Sequence, residues 1–397
     1  MGSPLCALFL ARCVALWNQR SMYVLQALYV SRRPAIAFVV VGLFWGCFAA
    51  YVPEVKERLG VNDATFGLLL LCNAVGLVSS MFLAPRLDRI LGARGMQIGS
   101  VLFAVSFLLP GFAPNALTFG ISMAIVGAAS GMTDVLMNAR VSELEELYKR
   151  PLMNANHAMF SVGYAISAVA SGFAREAQIA PGMAFSYVAL IIFVLSAFLY
   201  MPVRDTSNDT PTGAGYPFWP IVLCGLIVLI AFMTEATAET WSALHIERTL
   251  GGRAAEGAMG PAMLGITMAV GRFSGQAVSQ MFSDTKVIIV ATLIAATGAV
   301  LGALAPTPLW AYVGFGILGL GVSVIGPLGL ALVGKSVPNN LRTEAISRVA
   351  VMGFAGFFLA PTLMGMVSEF HGLPAAFLCA AALSLMAIPL TLLLRRL

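Results

Sequence analysis

Charge is what this chain of 397 residues has least of: 10% of its residues are charged, while 59% are hydrophobic. Soluble domains run at about 25% charged and about 45–50% apolar, so composition excludes an ordinary soluble domain and leaves a polytopic membrane protein. Histidine is nearly absent, and His157, His245 and His371 stand far apart with no metal-ligand spacing. Six cysteines (Cys6, Cys13, Cys47, Cys72, Cys224 and Cys379) sit in apolar surroundings without a C-x-x-C pair, which gives neither a disulfide framework nor a zinc site. The pattern G-x-x-x-x-G-K-[ST] occurs once, at 329–336, but at the end of an apolar run and not between a strand and a helix, so nothing points to ATP as a driving force, and no cofactor or metal is expected. A membrane-embedded enzyme would need a clustered nucleophile or metal set, and a sensor an added soluble domain; neither is present. The net charge of +5 therefore reads as topology, not as affinity for nucleic acid.

What the chain has instead is apolar runs. Leu5–Trp17 is too short to span a bilayer and is interrupted by Arg12. No clear signal-peptide pattern surrounds it, and Met22 offers a second start. Residues 1–34 are expected to form a poorly structured or interfacial arm. From there the chain reads as twelve segments, 35–53, 64–84, 96–113, 115–140, 152–175, 182–202, 218–246, 258–281, 287–305, 308–333, 343–367 and 373–394. Each covers a hydrocarbon core of about 30 Å with about 20 residues. The polar stretch around Asp205 and Asp209 divides them six and six. The expected organisation is a six-helix bundle over 35–203, a cytoplasmic linker over 204–217 and a second bundle over 218–397. The fold class is thus all-α, with twelve transmembrane helices in two pseudo-symmetric halves.

Counted from Arg32, fourteen lysines and arginines fall on one set of loops, against five on the other (Lys56, Arg58, Arg175, Arg248 and Arg253). The positive-inside rule then places both termini in the cytoplasm. The halves echo each other: Asp88-Arg89 follows segment two, and Asp284-Thr-Lys286 follows segment eight. Such a repeat is the signature of transporters built from related halves, with the solute site between them near the midplane.

Asp134 lies in an apolar run, where an acid at the centre of a membrane helix is disfavoured by about 2.5–3.5 kcal/mol. Gly127, Ser130, Asp134 and Asn138 share one helical face, with Met132, Val135 and Leu136 on the other. That face reads as the wall of a solute and proton path, or as a small-residue packing face with a satisfied acid. His157 lies six residues past Pro151, as Asp134 lies six before Arg140, so both sit about 9 Å inside the inner boundary. An imidazole titrates near pH 6.5, so the two can exchange a proton near neutrality; the alternative for His157 is a helix–helix hydrogen bond.

Glu235 and Glu239 are one turn apart, and Arg272 lies within reach at an axial offset of about 4–5 Å. They read as a coupling site or as a structural ion pair, with Glu239 shallower, near an interfacial Trp241. Glu344 and Arg348 open segment eleven as an intrahelical pair, although Arg348 matches Asp134 in depth. Asp88 and Arg89 read as a cytoplasmic latch between helices or as plain anchoring charge. Trp45, Tyr51, Asn73, Asn138, Gln276 and Gln280 complete the candidate lining, aromatic faces and amides of the kind that bind sugars; each also has a packing reading.

The stretch Ala84-Pro-Arg-Leu-Asp88-Arg89-Ile-Leu-Gly92-Ala-Arg94 resembles the signature loop of the major facilitator superfamily, with Ala84 in place of the first glycine and Gly92 one residue late. Asp134-Val-Leu-Met-Asn138, Asn156-His157-Ala-Met-Phe-Ser161 and Glu235-Ala-Thr-Ala-Glu239-Thr-Trp241 resemble its YbjJ/MosC-like branch, related to fucose permeases. The resemblance implies a monomeric secondary transporter of the inner membrane. It would move a small solute (a sugar, polyol or amino-polyol) by alternating access, coupled to protons; the rival is a proton-antiport exporter of drugs or metabolites. Proton coupling would fall to Asp134, His157, Glu235 and Glu239. Solute binding would fall to Trp45, Asn73, Asn138, Arg272 and Gln276, and gating to Asp88, Arg89, Arg94, Asp284, Glu344 and Arg348. The resemblance also implies that segments four and five face ten and eleven when the cytoplasmic side is closed, which would set Asp134 opposite Arg348.

Overall fold

The computed structural model describes residues 24–202, 218–337 and 342–395. All of the expected linker, 204–217, and most of the expected arm lie outside the described residues; residues 24–30 are helical. The helices are α1 (Arg32–Leu59), α2 (Asp63–Leu91), α3 (Gly95–Phe112), α4 (Ala116–Tyr148), α5 (Met153–Glu176), α6 (Pro181–Ser196), α7 (Phe218–Arg248), α8 (Ala254–Met281), α9 (Asp284–Ala303), α10 (Pro308–Ser336), α11 (Arg342–His371), α12 (Leu373–Leu385) and α13 (Ala387–Leu394). A short 3₁₀ turn, Gly92–Arg94, joins α2 to α3. No strand occurs among the described residues.

Among the described residues, ten helical stretches are long and apolar enough to cross a membrane by length and composition, and α6 is a shorter apolar helix of 16 residues. The expected segment 182–202 therefore ends as helix at Ser196, and the expected 373–394 is divided at Met386.

Local chemistry sets the ends. Gly60 closes α1 in the left-handed region at φ 63°, its N–H bonded to the Glu57 carbonyl. The Asn62 side chain then caps α2 by accepting from Thr65 N at 2.8 Å. Asn115 and Thr118 form a reciprocal capping box at the start of α4. At its other end α4 passes the expected boundary at Arg140 and continues to Tyr148. Val141 and Leu144 stay buried on the core side there, and Glu145 turns back to accept the Leu152 and Met153 backbone N–H groups at 2.6 and 2.8 Å. Arg140 is itself buried, bonded to Asp88 on α2 and to Glu143. A basic residue expected at the membrane edge is thus an internal cross-link, because two carboxylates satisfy it away from water.

Packing follows small residues. α1 lies against α5 and α2 against α4; α7 lies against α11 and α8 against α10. Helix backbones approach so closely that a Cβ on Gly46 would overlap the Tyr164 carbonyl, and one on Gly76 the Ala124 carbonyl. Two further contacts, α5 with α8 and α2 with α11, join the helices before the linker to those after it. Trp241, expected at the interface, is fully buried, with its ring edge-on to Phe66 at 6.2 Å. The reason is that α2 and α11 close over this face of α7, and Gly365 packs on the indole.

Candidate functional site

Between the two sets of helices lies a cavity of about 910 Å³. α1 contributes Trp45, α2 Asn73, α4 Asp134, α5 His157, α7 Glu235 and Glu239, and α8 Arg272. Asp284 and Lys335 also line it, with Glu145 and Asn154, toward the loops that carry most of the basic residues. Asn138 does not line the cavity; its Nδ2 donates to the Asp134 carbonyl at 2.9 Å, one turn back on α4. Gln276 is on α8, with its side chain outside those described.

Arg272 is the hub. Its Nη2 donates to Glu235 Oε1 at 2.9 Å, and its Nη1 donates to Ser161 Oγ at 2.6 Å and to the His157 carbonyl at 3.3 Å. Arg272 and Glu235 are 8% and 3% exposed. A guanidinium is suited to this place because its fixed fork serves acceptors on α5 and α7 at once. The His157 ring stands edge-on to Phe38 at 4.7 Å. Three buried polar atoms of the wall, Asn73 Oδ1, the Tyr164 hydroxyl and Arg272 Nε, have no hydrogen-bond partner among the described residues.

The expected gating residues separate into local pairs. Asp88, near the end of α2, is bonded to Arg140 on α4, and Asp284, the first residue of α9, accepts from Lys335 Nζ near the end of α10 at 2.5 Å, so both pairs stay within their own half. Arg348 donates to Glu344 at 2.6 Å on its own helix, and Arg89 and Arg94 are exposed.

Two clusters that sequence reasoning missed hold the opposite end together. Arg175, at the end of α5, grips Glu247 on α7 in a fork of 2.6 and 2.9 Å and also bonds the Ala50 carbonyl at 2.8 Å. Asp63, the first residue of α2, accepts from Arg248 at 2.8 and 2.5 Å, from Ser368 at 2.5 Å and from Lys56 at 2.9 Å. The Asp63 backbone N–H donates to Glu369 at 2.9 Å. The available signal is the crowding of opposite charges at the ends of these helices, Glu54, Lys56, Asp63, Arg175, Glu247 and Arg248, which a charge count treats only as loop charge. The resulting geometry is a chamber with acids in its wall, tied shut by forked ion pairs at one end and bordered at the other by pairs that stay within each half.

The sequence profile of the Major Facilitator Superfamily matches residues 35–283 and 223–397. The chain is 28% identical to an uncharacterized MFS-type transporter of Yersinia pestis, covering 88% of this chain and 92% of that one. It is 28% identical to the membrane protein MosC of Rhizobium meliloti, covering 87% and 85%. Its fold matches the crystal structure of a bacterial homologue of the human lysosomal transporter Spinster in an inward-facing and unoccupied conformation, at 13% identity, covering 93% and 97%, with a TM-score of 0.76. It also matches the crystal structure of the nucleoside transporter NupG at 13% identity, covering 93% and 99%, with a TM-score of 0.68. The family profile, which spans most of the chain, and the apolar helices show that the chain is a multi-pass membrane transporter belonging to the major facilitator superfamily.

Proposed function

We propose that the chain is a monomeric secondary active transporter that moves a small solute across the inner membrane by alternating access, driven by protons, with its termini and linker in the cytoplasm. One observation carries this reading: the cavity reaches Glu145, Asp284 and Lys335 on the side of the basic loops, while Arg175–Glu247 and Asp63–Arg248 bind the halves together on the other side. In this reading the structure is the inward-open state, and the forked pairs are the outer gate. Asp134, His157, Glu235 and Glu239 are the proton-handling candidates, because they are the titratable groups of the chamber wall near its middle. Trp45, Asn73 and Arg272 are the solute-binding candidates. A sugar, polyol or amino-polyol fits a wall that mixes an indole with amide and carboxyl groups, and the relation to fucose permeases belongs to the same proposal. The exporter reading has one observation of its own: Phe160, Phe232, Phe354 and Phe357 give the wall broad aromatic faces suited to an apolar solute.

Uptake into proteoliposomes, with and without an imposed pH gradient, tests the proposal. Concentrative uptake that collapses when the gradient is removed supports it. Gradient-independent equilibration alone contradicts the proton coupling, and absence of uptake across a broad solute panel contradicts the transport reading.

A further inference from the structure

The chamber wall carries more carboxyl groups than its own cations match. Glu235 is bonded to Arg272 and Asp284 to Lys335, so both arginine and lysine side chains of the described wall are committed. Glu145 accepts two backbone N–H groups at the start of α5. Asp134 and Glu239 remain without an ion pair among the described residues. Glu239 lies one helical turn past Glu235, whose charge Arg272 already balances. A carboxylate placed this way repels an anionic solute and leaves a neutral one with an unmatched charge beside it.

A second observation points to a ligand with hydrogen-bonding groups. The Tyr164 side chain is 2% exposed and lines the chamber, and its hydroxyl has no partner among the described residues; Asn73 Oδ1, also in the wall, has none there either. Buried polar atoms of this kind are normally satisfied, by protein, water or ligand. Trp45 and Phe160 add aromatic faces on which a cation can rest.

Resting on the transporter reading, we propose that the solute is a protonated amine bearing hydroxyl groups, its ammonium received by the Glu239 carboxylate and its hydroxyls by Tyr164 and Asn73. Recognition is then chiefly electrostatic: replacing the ammonium by a neutral amide of similar size removes the charge that Glu239 selects.

The test uses the purified full chain in detergent and thermal shift, since a ligand that binds the folded state raises its apparent stability. The probes are glucosamine, galactosamine and serinol, each beside its N-acetylated form, with glucose and glucuronate as neutral and anionic controls. The expected result is a concentration-dependent rise in Tm with at least one hydroxylated amine and none with its N-acetyl partner or glucuronate. Glu239→Gln is expected to weaken that binding by at least about tenfold, the order expected when one partner of a buried charge pair is removed. Glu239→Asp should retain part of it, and Glu146→Gln, on an exposed face of α4, should leave it unchanged. The ligand-free Tm of each variant controls for folding. Equal binding of the N-acetyl form, unchanged affinity in Glu239→Gln, or no response to any amine overturns the proposal. An amine that binds but does not enter proteoliposomes overturns the transport reading and leaves this one standing. Uptake of a solute without an amine, undiminished in Glu239→Gln, does the reverse.

Discussion

Arg272 and Glu235 meet at 2.9 Å in the chamber wall, and the same guanidinium reaches Ser161 on the opposite half at 2.6 Å. One side chain therefore joins α5, α7 and α8 at the depth where a solute would pass. Removing it strands a buried carboxylate, a change that typically costs about 3–5 kcal/mol. Arg272→Gln is expected to lower Tm and to abolish uptake. Arg272→Lys keeps the charge but not the fork, so it should recover stability better than transport. Thermal unfolding in micelles, paired with proteoliposome uptake, separates the two effects; a Gln variant with wild-type Tm and uptake contradicts the assignment.

Asp134 carries the second prediction. Asn keeps the size of the side chain but cannot titrate, so Asp134→Asn should lose concentrative uptake while solute exchange without a gradient continues in part. Full proton-driven accumulation by this variant removes Asp134 from the coupling path and leaves Glu235 as the leading candidate.

Backbone contact between α2 and α4 carries a stability prediction. A Cβ at Gly76 would overlap the Ala124 carbonyl, and backbone cannot yield as the end of a flexible side chain can. Gly76→Val should destabilise by about 1–3 kcal/mol or more, the usual cost of overpacking. Its Tm should fall well below that of Gly60→Ala: Gly60 lies in open space, and there only the left-handed φ of 63° is strained. Equal losses at the two sites contradict the packing argument.

Arg348 donates to Glu344 in this state. If Asp134 is its alternative partner when the cytoplasmic side closes, a double-mutant cycle of Asp134→Asn and Arg348→Gln, read by accessibility from the two sides, should show coupling above about 0.5 kcal/mol, the scatter of independent sites. Coupling within that scatter leaves Arg348 to its own helix.

Much of the architecture is legible in the sequence because a bilayer imposes length and polarity on every span: helices cover the apolar runs, and Glu235 and Arg272 fall within reach simply by counting from the loop between them. The same counting misplaces the edge at Arg140, since periodicity cannot tell a solvated basic residue from one neutralised by Asp88 and Glu143. Trp241 reads as interfacial for a similar reason: its burial depends on α2 and α11, not on its neighbours in sequence. The forked pairs are hidden further still, because Glu247 is 72 positions from Arg175 and Arg248 is 185 from Asp63, and no local pattern links them. Which loop charges pair is decided by tertiary packing, and a single sequence records that only indirectly.

Those forked pairs are also where the account is most exposed. If they are the outer gate, the chamber should be open to one side only, and breaking them should open the other. In a chain whose six cysteines are replaced, Asn73→Cys places a thiol in the chamber wall, and a membrane-impermeant maleimide can be applied to either face of oriented vesicles. Labelling is expected from the cytoplasmic face alone while Arg175–Glu247 and Asp63–Arg248 are intact, and from the outer face as well once Glu247→Gln and Asp63→Asn are added. Outer-face labelling with the pairs intact, or a pattern that the two substitutions leave unchanged, would contradict that expectation.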